Sequence, residues 1–87
     1  MPEIHFPHLS INSDVIKRYF ENIGIHFNDS YEADGPPRCP RRKILYATED
    51  RDIVIGYGLR TSRNPPFTFV TYAPRYKDLI LLMRLSI

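Results

Sequence analysis

Two hydrophobic periods in one short chain, separated by a cluster of prolines, set the fold class. Over "NSDVIKRYFENIG" the apolar residues Val15, Ile16, Tyr19, Phe20 and Ile23 recur at the spacing of one helical face. From Lys43 onward the period drops to two. "KILYATE" alternates, "IVIGYGLR" sets Ile53, Ile55, Tyr57 and Leu59 on one side, and "FTFVTY" sets Phe67, Phe69 and Thr71 opposite Thr68, Val70 and Tyr72. Between the two regimes lies "GPPRCPRRK", whose Pro36, Pro37 and Pro40 remove backbone donors and fix local angles, so neither a helix nor a central strand passes through it. The expected fold is α+β: one amphipathic helix packed on a small antiparallel sheet of roughly three to five strands, in the order β-α-β-β-β-β.

The helix is expected from about residue 13 to about residue 23. Asn12 or Ser13 can cap it, Asp14 suits its first turn, and Gly24 is placed to stop it. With Asn12 as the cap, Ile11 and Ile16 form a hydrophobic staple. Before it, "EIHFPHLSI" alternates but contains Pro7, which confines it to a sheet edge or an arm. "TEDRD" and "TSRNPP" read as turns, and residues 28–42 as a proline/arginine-rich loop. The end, "DLILLMRLSI", has two readings. As a strand it aligns Leu79, Leu81, Met83, Leu85 and Ile87 on one face; as a helix its apolar positions scatter around the cylinder. A further strand is expected, with a homodimer through that apolar edge as one consequence.

Eighty-seven residues, 43% hydrophobic and 25% charged, suit a single domain spanning 1–87. No run approaches the ~20 apolar residues of a membrane span, so no membrane is expected. "MPEIHFPHLS" lacks a basic and an apolar region in succession, which speaks against a secretory signal and for a cytoplasmic setting. Cys39 is the lone cysteine, so no internal disulfide forms.

The charge is unevenly spread. Residues 1–35 carry a net −4 and residues 36–87 a net +6, and nine of the twelve cations are arginine. Arginine suits bidentate contact with phosphate or carboxylate and stacking on rings. Arg38, Arg41, Arg42 and Lys43 crowd the proline segment; Arg60, Arg63 and Arg75 accompany Tyr57, Tyr72 and Tyr76 near strand ends. Those residues, above all Arg38, Arg41, Arg42, Lys43, Arg60, Arg63, Arg75, Tyr72 and Tyr76, are the candidate contact set for a protein, a nucleoprotein or a nucleic acid.

Other constellations carry less. His5, His8, His26 and Cys39 offer one close pair and no short four-ligand spacing, so no metal and no cofactor is expected. Cys39 has arginines to acidify its thiol but no histidine after residue 26. Gly56 and Gly58 lie inside a strand, away from any loop that could cradle phosphate; they permit a bulge, a close backbone approach or the packing of a helix.

Two stretches resemble known families in part. "FTFVTY" is similar to the RNP1 half of the RNA-recognition motif, with Phe67, Phe69, Val70 and Tyr72 in the matching positions and Pro65 and Pro66 departing from it; "IHFPHL" stands where RNP2 would. The helix followed by "RRKILYATEDRDIVIGYGLRTSR" resembles the meander of RelE- and BrnT-type ribonuclease toxins. That resemblance implies an RNA-directed endonuclease, with Arg60, Arg63 and Tyr72 stabilising phosphate and moving a proton. The reading favoured here is a small non-enzymatic interaction protein of inhibitor or adaptor type, of the kind viruses and mobile elements use against host defences, acting through its Arg/Tyr surface and Pro-Arg loop. The RNA-directed protein is the alternative.

Overall fold

The computed structural model describes residues 1–6, 10–29, 42–58 and 67–87, without the side chain of Arg42. Its elements are β1 (Glu3–Phe6), α1 (Ser13–Asn22), β2 (Asn28–Asp29), β3 (Arg42–Ala47), β4 (Ile53–Gly58) and β5 (Phe67–Tyr72), then a 3-10 turn (Pro74–Tyr76) and α2 (Lys77–Ser86). The five strands form one antiparallel sheet in the order β1-β5-β4-β3-β2. The fold is α+β, as its two hydrophobic periods require.

α1 begins where its cap chemistry places it. The Asn12 side chain accepts a 3.0 Å hydrogen bond from the Val15 amide, Asp14 sits in the first turn, and Ile11 packs against the cluster that holds Ile16. Gly24 takes φ +95° just past the end, a conformation a side chain would oppose. Ile16 and Phe20, four residues apart, are fully buried, with Ser13 beside them. Ile23 departs from the expected face: it is the C-cap, leaves the helical angles, and stays 49% exposed.

The core lies between one sheet face and the two helices. Ile4 and Phe6 from β1, Ile53 and Ile55 from β4, and Val70 from β5 meet Ile16, Phe20, Phe27, Ile80 and Met83. Burying each such side chain stabilises by ~1.5–3 kcal/mol before chain entropy is counted. On the other sheet face Gly56 pairs with Phe69 and Gly58 with Phe67. β3 shifts register between Ile44 and Tyr46 opposite Gly56, so a Cβ at Gly56 would stand 2.1 Å from the Lys43 carbonyl oxygen and 2.8 Å from the Phe69 ring. Here Gly56 provides the close backbone approach and the bulge that glycine permits.

Two expectations are corrected. The C-terminal segment is a helix, so the sheet gains no strand there, its edges are β1 and β2, and α1 is not the only helix. Pro74 opens the 3-10 turn, Asp78 favours the first turn of α2, Arg84 favours its last, and leucine and methionine are strong helix formers. The remaining strand is β2: Asn28 and Asp29 pair with Ala47 and Tyr46, at the start of what reads as loop. Arg42 belongs to β3, and residues 30–41 lie outside the described residues.

Candidate interaction surface

The sheet sorts the described candidates to opposite ends. Arg42 pairs with Gly58 and Lys43 with Tyr57 at one end; Tyr72 pairs with Ile53 at the other, next to Arg75 and Tyr76. The six residues of β4 that separate them span ~17–20 Å. Arg38, Arg41, Arg60 and Arg63 lie outside the described residues, as do His8 and Cys39. Arg42, the first residue of β3, faces Gly58, the last of β4, across the ladder at this end.

At the far end the charged turn is internally satisfied. The Thr48 hydroxyl donates to the Asp50 carboxylate at 2.8 Å and accepts from the Ile53 amide at 3.1 Å, and Arg51 takes φ +60°. Arg75 donates to Asp50 at 3.1 Å and to Asp52, and its guanidinium lies 4.9 Å from the centre of the Tyr76 ring. The Asp50 carboxyl is held below its ordinary value of 3.8, first by the Asp52 amide, then by the Thr48 hydroxyl, with the charge of Arg75 adding to them. The Arg75 guanidinium is pushed further above its ordinary range, chiefly by the charge of Asp52. Glu49, Asp50 and Tyr76 also line a shallow cleft with Gly24, Ile25 and His26. Among the described residues no three histidine, cysteine, aspartate or glutamate side chains gather where a metal could bind.

The feature that sequence reasoning missed is the outer face of α2. Ile80 and Met83 are fully buried, three residues apart, and Leu79 packs beside them. The opposite side carries Leu81, Leu82 and Leu85, which are 45%, 57% and 86% exposed. Leu81 and Arg84 continue into a groove whose other walls are Glu3, Ile4, His5 and Tyr72. Apolar residues on both faces of one helix were the available signal, since a core-facing helix ordinarily keeps polar residues on its outer face. None of the described helices is long and apolar enough to cross a membrane.

No protein-family model matches this chain, and none of the curated proteins or solved structures compared with it is significantly similar.

Proposed function

We propose that this chain is a non-enzymatic interaction protein, inhibitor or adaptor in type, that seats a protein partner on the outer face of α2. The observation that carries the reading is the leucine stripe at 81, 82 and 85, on a helix whose other face is already spent on the core. Three leucines exposed on one side of a helix make an apolar patch, and an apolar centre ringed by polar groups is what a protein interface needs. The contact extends along the groove to Tyr72 and Arg84. The Pro-Arg segment supplies a second contact and a steering charge, consistent with the net +6 of residues 36–87.

Affinity capture with three forms of the tagged protein tests this reading. A partner held by the wild type should be lost with Leu81→Glu/Leu85→Glu and weakened with Arg38→Ala/Arg41→Ala/Arg42→Ala. Equal capture of the same proteins by all three forms would remove both contacts from the proposal.

One observation favours a second reading, an RNA-directed protein. Arg42 and Lys43 pair with Gly58 and Tyr57 at one end of the sheet, and Arg38, Arg41, Arg60 and Arg63 stand near these residues in sequence. Cations so clustered in sequence suit a phosphate backbone. On this reading a structured RNA binds and loses orders of magnitude in affinity between ~50 and ~200 mM salt. Absence of binding at the lower salt would end it.

A further inference from the structure

We infer that the occupant of the α2 face is an acidic amphipathic helix supplied by a different protein. This rests on the docking role of α2 proposed above and names the chemistry of the partner. Lys77 and Arg84 are exposed, and among the described residues neither has an ion-pair partner. Seven residues separate them, so they stand on the same flank of α2, ~10 Å apart along its axis. Leu81 lies between them, with Leu85 and Leu82 following around the helix. The stripe thus has a cationic border on one side. On the other side it has Ser86, with Asp78 at its first turn. Leu81–Leu85 and Leu82–Leu85 are the i,i+4 and i,i+3 steps that form the ridges of helix-on-helix packing. An incoming helix that lays apolar residues on this stripe meets two unpaired cations along one border. Carboxylates at matching positions on its own flank would pair with both.

The same geometry disfavours a second copy of this chain. A two-fold antiparallel pairing of α2 with α2 sets Lys77 beside the other copy's Arg84, cation against cation. A parallel pairing offers Arg84 only Ser86. A foreign helix is free to place its acids where both cations lie.

The probe is a displayed library of amphipathic helices with a fixed leucine stripe, whose flanking positions vary among glutamate, lysine and glutamine. The inference expects wild-type protein to enrich glutamate on one flank. Leu85→Glu, or Leu82→Glu if the first variant unfolds, should weaken the selected helices at least tenfold. Lys77→Glu/Arg84→Glu should turn the selection toward lysine. Failure to enrich glutamate overturns the acidic helix; if the binders still require Leu85, the docking role of α2 survives. If no helix depends on α2, both fail. A dimer in light scattering that Leu85→Glu dissolves would instead assign the face to a second copy. Binding to phosphatidylglycerol vesicles with the same dependence would assign it to a lipid surface.

Discussion

The Tyr46 hydroxyl, on β3, donates a 2.5 Å hydrogen bond to the carboxylate of Asp14, in the first turn of α1. It ties the helix to the strand that carries the Pro-Arg segment, and Lys17, one turn further along α1, covers the same ring at 4.7 Å. The bond to Asp14 raises the Tyr46 pKa from 10.0 to about 12, assisted by partial burial and by the charges of Asp14, Asp29 and Glu21. A phenol with a raised folded pKa contributes stability that is complete below the unfolded value of 10.0 and is lost as pH rises toward about 12. Urea unfolding from pH 8 to pH 12 should show that loss. Tyr46→Phe should be ~1–2 kcal/mol less stable at neutral pH and lack this part of the alkaline decline. A decline identical in the two proteins would mean the bond does not form.

Added methyl groups on β4 should separate backbone from side-chain crowding. Gly56→Ala meets the Lys43 carbonyl at 2.1 Å, whereas Gly58→Ala meets first the Phe67 ring, at 2.5 Å. A ring can swing aside and a bulged backbone cannot, so Gly56→Ala should cost ~3 kcal/mol or more and Gly58→Ala ~1–2 kcal/mol. Chemical denaturation of both variants checks the order, and the reverse order would contradict the bulge.

Removing Arg75 should act on the turn rather than on a partner. Its guanidinium already bonds Asp50 and Asp52, and both partners are in the tight 48–52 turn. Asp50 has a lowered pKa, so its share of stability is present above 3.8 and lost as pH falls below that value. Arg75→Ala should therefore be less stable than wild type at pH 7, with the gap closing in acid as the carboxylates protonate. Partner capture should be unchanged; its loss would return Arg75 to the contact surface.

The two faces of α2 should respond differently to substitution. Ile80→Ala and Met83→Ala empty fully buried volume and should each cost ~2–5 kcal/mol. Leu82→Glu and Leu85→Glu alter exposed positions and should stay within ~0.5 kcal/mol of wild type. Large destabilisation by either glutamate would show that the outer leucines serve the fold.

Much of this architecture is legible in the residues. α1 shows itself through Asn12, Asp14, Gly24 and the Ile16–Phe20 step, and β4 and β5 through their β-branched and aromatic runs, which set Ile53, Ile55 and Val70 on the core face. β2 is not legible, because two polar residues, Asn28 and Asp29, hold their place by pairing with β3 and show no pattern of their own. α2 misleads because burial is taken as the goal of every apolar residue. Leu81, Leu82 and Leu85 are outside, so the scatter that argues for a strand belongs to a helix with an unfilled face. The candidate surface divides in the same way. Arg42 and Lys43 keep company with the chain's basic segments, but the bonds of Arg75 to Asp50 and Asp52 cross more than 20 residues of sequence and leave no local trace.

A photo-crosslinking side chain in place of Leu82, with the same group in place of Glu49 as an exposed control, tests the docking role of α2 most directly. The expected result is a discrete crosslinked protein at 82, absent at 49 and removed by Leu85→Glu. Equal crosslinking from both positions, or none from 82, would contradict a partner seated on α2.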